Sequence, residues 1–227
     1  MRLAGTMAVA LLVSSMVLGG FAQTSQDAIS ESLAALGLSA AARVQAAFEQ
    51  GIQQEKLTFG TALRLLDLLT EAPGTVVQKE ALLLVLAAAL ESELPAEGLA
   101  DKAIQGLTQG VPLLSITQEI ETRRLLEQAV RELLNAKGIF SVPDGQRNAP
   151  HHLPQAAFDA LVTHIAGALG DSLEAGRSPF ESQGLYAAVS QRLIHLSGSV
   201  LPQQDVDLVL QRIEPDDLTE IVLVALD

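Results

Sequence analysis

Apolar residues recur along this chain at intervals of three and four positions, the spacing of one face of an α-helix. Leucines occupy positions 63, 66 and 69, and the segment 158–169 carries Phe, Leu, Val, Ile and Leu at the same spacing. Small polar residues often precede such segments, and glycine or proline follows them, as at the starts and ends of helices. The pattern predicts one helix after another.

Local signals place several of these helices. Thr75 and Gln78 are spaced as a capping box, and the helix that they begin contains the uninterrupted apolar run 81–90, which predicts a central position in the fold. The segment from position 112 to about 136 is expected to form the longest helix. The sequence 178–181, Ser-Pro-Phe-Glu, is typical of a helix start, with a cap, an early proline and a reciprocal glutamate.

A long irregular stretch divides the chain. Residues 138–155 are rich in proline and contain a Pro-Asp-Gly turn signal, which predicts a linker loop between a larger helical lobe, 23–137, and a smaller one, 156–227. Pairs of glycine and an apolar residue recur at irregular intervals, which favours stacked helical hairpins over a repeat of fixed period. The predicted fold is all-α, an irregular array of stacked helical hairpins in two lobes.

The N-terminus has the order of a secretory signal. Arg2 precedes an uncharged apolar run, and Gly20 and Ala22 supply a small-x-small site ahead of a polar segment. Residues 1–22 are therefore predicted to be a signal peptide cleaved between Ala22 and Gln23, which makes the mature chain exported, periplasmic or extracellular, and not bound to a membrane. The alternative is a retained transmembrane anchor, although glycine, serine and threonine dilute the hydrophobicity of this run.

The amino-acid composition limits which residues can form the core and which kinds of site the chain can contain. Hydrophobic residues make up 48% of the chain and aromatic residues only 3%, so leucine, alanine, valine and isoleucine must form the core. The absence of cysteine excludes disulfides, thiol catalysis and thiolate metal sites. A formal charge of −13 disfavours nucleic-acid binding, because such a chain repels phosphate backbones.

Residues 94–116 resemble a segment that occurs in other proteins. The matching positions are Pro95, Glu97-Gly98-Leu99, Lys102, Gly106-Leu107 and Gly110-Val111-Pro112, and this segment resembles one in uncharacterised exported helical proteins of bacteria. That group implies an exported helical fold and brings no known activity. In physical terms the segment predicts a helix started by proline, a close helix contact at Gly106 and a turn into the next helix.

The histidines offer one candidate metal site. His151 and His152 lie in the predicted loop, His164 follows on the next helix, and Asp159 could complete a zinc site. The spacing matches no metal motif, and a His-His pair beside prolines is also typical of an exposed loop. His164 falls beside the apolar stripe of its helix, where an imidazole bonded to a backbone group is the alternative.

A charged pair interrupts the apolar face of the longest predicted helix. Arg123 and Glu127 lie four residues apart, within reach of each other across one turn, and could form a structural ion pair inside an apolar seam. Alternatively, the apolar stripe drifts around the helix and leaves both side chains at a hydrated crossing.

The sequence favours a non-catalytic function. It lacks His-Glu-x-x-His, Gly-x-Ser-x-Gly, a phosphate-binding glycine loop and a dinucleotide fingerprint, and it predicts no cofactor. We expect an exported helical protein with a structural or protein-interaction role in the bacterial envelope and an unknown protein partner. The alternatives are a metal-dependent or hydrolytic enzyme using the His151/His152 loop, and a membrane-tethered envelope module if the leader is retained.

Overall fold

The protein folds into an all-α array of stacked hairpins around two apolar cores. The structure, a computed structural model, describes residues 27–143 and 151–226. In chain order its elements are α1 (27–36 among the described residues), α2 (Ala41–Gln53), α3 (Phe59–Glu71), α4 (Val76–Glu91), α5 (Glu97–Thr108), α6 (Leu113–Ala136), β1 (Phe140–Val142), β2 (His152–Pro154), α7 (Gln155–Glu174), α8 (Ser182–Leu196), α9 (Gln203–Arg212) and α10 (Pro215–Leu226).

The first core lies among α1 to α5 and the start of α6. Helix α4 packs against α2 and α6, and α3 packs against α5. The apolar run 81–90 lies in α4 with six side chains buried in the first core. Thr75 and Gln78 form the predicted capping box, in which each side chain accepts a hydrogen bond from the other residue's backbone N–H.

The second core lies among α7, α8, α9, α10 and the later part of α6. Helix α7 packs against α6 and α8, and α10 packs against both of these. All five apolar residues of the predicted stripe in 158–169 are buried in α7. Leucine, isoleucine, valine and alanine dominate both cores, as the composition requires.

Helix α6 belongs to both cores. Its residues Leu113, Ile116 and Ile120 pack in the first core. Leu126, Val130 and Leu134, farther along the helix, pack in the second core. The boundary between the two cores therefore falls within one continuous helix of 24 residues. The sequence placed the division at 138–155, and that assignment of domains stays a prediction.

The segment predicted as an irregular loop contains a small sheet. Residues 140–142 pair in parallel with 152–154, so that Phe140 lies opposite His152 and Val142 opposite Pro154. The β-branched and aromatic residues of 139–142 favour extended backbone, and Ile139 and Leu153 are buried in the second core. The linker prediction therefore needs correction where these strands lie; residues 144–150 fall outside the described ranges.

The helix start predicted at 178–181 is wrong. Ser178 accepts hydrogen bonds from the backbone of Phe180 and Glu181, which makes this segment a turn, and α8 begins only at Ser182. The residues have the types of a capping box, but their backbone closes a turn after α7 instead. Sequence spacing alone does not distinguish these two uses of a serine followed by proline.

The predicted leader, with its cleavage site at Ala22 and Gln23, lies outside the described residues. Among the helices in 27–143 and 151–226, none is both long and apolar enough to cross a bilayer.

A glycine sets the distance between α5 and α6. A Cβ placed on Gly106 would lie 2.9 Å from Cγ1 and 3.1 Å from Cδ1 of Ile116, whose side chain is buried in the first core. Such distances are shorter than van der Waals contact, so the two helices could not pack this closely with a larger residue. The structure confirms the close helix contact predicted at this position.

We therefore expect Gly106→Ala to destabilise the protein by about 1–2 kcal/mol, because the added methyl group overpacks the core. Gly60→Ala is the matched control: its Cβ would meet no atom of the described residues within 4 Å, so it should be neutral or stabilising by up to about 1 kcal/mol. Urea unfolding of both variants measures the difference. Equal stabilities would contradict the packing argument.

Candidate functional site

The structure does not gather the four candidate metal ligands. His151 and His152 lie side by side with ring centroids 4.7 Å apart, and both rings make edge contacts with Phe140 at β1. Asp159 points elsewhere, and His164 lies on the part of α7 that faces α8. In the described ranges no group of three or more His, Cys, Asp or Glu side chains is arranged to hold a metal ion.

Asp159 instead forms a buried ion pair with Lys56. The carboxylate of Asp159, on α7, accepts a short hydrogen bond from the Lys56 ammonium and a bond of 2.8 Å from Gln155. Lys56 lies in the turn between α2 and α3, and its carbonyl accepts the backbone N–H groups of residues 96 and 97. The pair joins the parts of the chain that build the two cores. No local pattern predicts it, because the partners are 103 residues apart.

Arg123 does not pair with Glu127, contrary to the predicted ion pair. Its guanidinium donates to Asp171 at 2.8 Å and, in a short bond, to Glu174 on α7, and its Nε lies 3.4 Å from Glu119. Gly170 makes room for this, since a Cβ there would lie 3.2 Å from one guanidinium nitrogen. Burial by itself would lower the pKa of Arg123, but its hydrogen bonds to both carboxylates raise it.

Two further cations extend this network. The Lys102 ammonium lies 2.9 Å from Glu119 and 3.2 Å from Glu174, and the Arg192 guanidinium donates to Asp171 at 2.9 Å. Partial burial would raise the pKa of Asp171, but the hydrogen bonds and charges of the two arginines lower it. These ion pairs connect α5, α6, α7 and α8.

Glu127 lies next to this network without belonging to it. Only 3% of the residue is exposed, and its Oε2 has no hydrogen-bond partner in the described parts of the chain. Burial raises its pKa to about 8, with the positive charge of Arg123 opposing the shift and the negative charge of Asp159 adding to it. Because this value lies above neutral pH, the carboxyl group holds a proton in the folded protein at pH 7.

Glu127 borders a cavity of about 320 Å³ between α5, α6, α7 and α8. We call it the charged cleft, and its ionisable lining residues are Asp101, Lys102, Arg123, Glu127, Asp171 and Arg192. Partial burial and the nearby charge of Glu97 raise the pKa of Asp101, although the charge of Arg64 opposes them. The volume falls within the range of small-ligand sites.

A second, more open groove lies between α7 and α8. It has a volume of about 600 Å³ and shares Asp171 and Arg192 with the charged cleft. Burial and the charge of Arg192 lower the pKa of His164, which lines the groove. Ser172 donates its hydroxyl to the Ala168 carbonyl at 2.8 Å, so it does not form a nucleophile–base pair with this histidine.

Sequence reasoning selected Arg123 and Glu127 but missed their surroundings. The neighbouring charged residues Lys102, Asp171 and Arg192 come from three other helices, and no sequence spacing relates them. The only available signal was that charged residues interrupt an apolar helix face.

Comparison with protein-family models, curated proteins and solved structures gives no match. The resemblance of residues 94–116 to exported helical proteins therefore stays a prediction.

The burial of Glu127 predicts a pH-dependent stability. The folded protein keeps this proton up to a pKa of about 8, whereas the unfolded chain loses it near the ordinary value of 4.5. Between these values the unfolded state binds fewer protons, so stability falls as the pH rises. Glutamine cannot ionise, and Glu127→Gln should therefore gain a few kcal/mol of stability relative to the wild type from about pH 5 to about pH 8.

Urea unfolding across this pH range measures the effect. Glu132→Gln, an exposed change on the same helix, serves as the control and should follow the wild type at every pH. Parallel curves for Glu127→Gln and the wild type would show that Glu127 is already ionised at neutral pH.

Proposed function

We propose that this is an exported, non-catalytic helical protein with a protein-interaction role in the bacterial envelope or outside the cell, and that it contacts its partner at the charged cleft. The observation that supports this most is that an oxygen of Glu127, which borders a ligand-sized cavity, has no partner among residues 27–143 and 151–226. A buried polar atom without a partner costs free energy unless something bonds to it. Stacked helical hairpins commonly present grooves to other proteins.

The geometry gives less support to the hydrolytic alternative. His151 and His152 pack on Phe140, and each lacks a nearby carboxylate or hydroxyl bonded to it in the described parts of the chain. The charged groups of the cleft mostly neutralise each other in ion pairs, which positions them for binding rather than for proton transfer. An interaction role agrees better with these contacts.

Export is tested by the mass of the mature chain. If the signal peptide is cleaved as proposed, protein recovered from the periplasm or the medium begins at Gln23, and its intact mass lacks residues 1–22. Full-length protein that stays in the membrane fraction would instead favour the tethered envelope module, with residues 1–22 as its anchor.

The interaction role is tested by blocking the mouth of the cleft. Gln105 is exposed on α5 and lines the cavity, so Gln105→Trp should fill the entrance without disturbing the core. We expect affinity capture from an envelope extract to recover a defined partner with the wild type and to lose most of it with this variant.

Gln50→Trp provides the matched control, because Gln50 is exposed on α2 and does not line the cleft. Its capture should equal that of the wild type. If Gln105→Trp captured the same partner equally well, the proposed contact at the cleft would be wrong; if the wild type captured nothing but hydrolysed a substrate panel, the interaction role itself would be wrong.

A further inference from the structure

The cations that line the charged cleft already have their counter-charges. Lys102 forms ion pairs with Glu119 and Glu174, and Arg192 forms one with Asp171. Arg123 shares all three of these carboxylates. A ligand anion would therefore have to displace a protein carboxylate from each cation that it approached.

The two remaining ionisable groups of the cleft are both carboxyl groups. Glu127 has an unpartnered oxygen, and Asp101 has no hydrogen bond or ion pair within 4 Å among the described residues; Arg64 acts on it only through its longer-range charge. Glu127 lies on the buried side, whereas Asp101 is exposed at the mouth. The cleft thus has unmatched acidic groups at both its ends.

We propose that the charged cleft binds a primary ammonium group on an alkyl chain, with Glu127 as its buried counter-charge and Asp101 at the entrance. The inference rests on the proposed function, since it names the chemistry that a partner would insert there. Leu99 and Ala166 supply an apolar wall for methylene groups. A lysine side chain combines such a stem with such a head group, and the formal charge of −13 attracts basic partners.

Binding of an ammonium group would release one proton from Glu127 to solvent. Glu127 is protonated in the free protein, so an incoming ammonium pairs with the carboxylate only after the carboxyl proton passes to solvent. The charged groups that face Glu127 are Arg123 on its own helix and Asp159 on α7. Lys102 and Asp101 on α5 and Arg192 on α8 line the same cavity, and the three cations remain paired.

The release of this proton predicts that affinity rises with pH. Below about pH 8 the ligand must displace the proton, and the ammonium group itself stays charged until about pH 10. Affinity should therefore increase from pH 6 to pH 8, and protons should be released on binding.

Isothermal titration calorimetry of the mature protein with n-butylammonium chloride tests the inference, against sodium chloride at equal ionic strength. We expect one site, tighter binding at pH 8 than at pH 6, and a heat that depends on the ionisation enthalpy of the buffer. Glu127→Gln should weaken binding at pH 8 by about tenfold or more, because it removes the charged acceptor. Glu132→Gln, exposed on the same helix, should bind like the wild type.

A second variant distinguishes a loss of the binding group from a loss of folding. Asp101→Asn changes an exposed position and should weaken binding by a smaller factor than Glu127→Gln, while circular dichroism shows both variants folded. Equal affinity of Glu127→Gln and the wild type, or saturable binding of calcium chloride without any binding of butylammonium, would overturn the inference.

The outcomes also separate the inference from the proposed function. If neither butylammonium nor a short lysine-containing peptide binds while Gln105→Trp still abolishes capture, the ammonium site is wrong and the protein interaction stands. If butylammonium binds as expected but Gln105→Trp leaves capture unchanged, the site is correct and takes up a free amine, and the proposed contact with a protein partner is wrong. Binding of the peptide with loss in Glu127→Gln supports both.

Discussion

The burial of one continuous helix in two apolar cores holds this structure together. Helix α6 contributes Ile116 and Ile120 to the first core and Leu126 and Val130 to the second. With no cysteine and few aromatic residues, the chain relies on aliphatic side chains for this burial. Any movement of the two cores relative to each other would have to bend or break α6, so this helix fixes the place at which the charged residues of the neighbouring helices meet.

The position of the polar groups between the cores follows from the path of α6 through both of them. Where α6 passes from one core to the other, Arg123 and Glu127 leave the apolar stripe and meet α5 and α7. Arg123 pairs with carboxylates from α7, whereas Glu127 is buried and its Oε2 has no partner among the described residues. Burying a carboxyl group costs less when it is protonated, which explains why its pKa rises to about 8.

The buried ion pair of Lys56 and Asp159 is a further contact between the parts of the chain that build the two cores. Such a pair loses the hydration of both ions, and its net contribution to stability is therefore small, but removing one partner leaves an uncompensated charge. The pair holds the turn after α2 against α7. Together with the ion pairs of Lys102 and Arg123, it connects α7 to α5, to α6 and to the turn after α2.

The sequence by itself determined the class and most elements of the fold. Helical spacing predicted the stripe of α7, the capping box predicted the start of α4, and the glycine at 106 predicted a close helix contact, because each depends on neighbours along the chain. The turn at 178–181 and the strands at 140–142 and 152–154 were missed, because contacts with the core decide whether the backbone there closes a turn or extends.

The candidate site depended almost entirely on tertiary structure. From the sequence, Arg123 and Glu127 were recognised as charges on an apolar face, and the natural partner of each was the other, four residues away. Only the packing of α6 against α7 brought Asp171 to Arg123 and left Glu127 facing a cavity. The physical reason is that electrostatic energy depends on distance and burial in space, which sequence spacing specifies only within one helix.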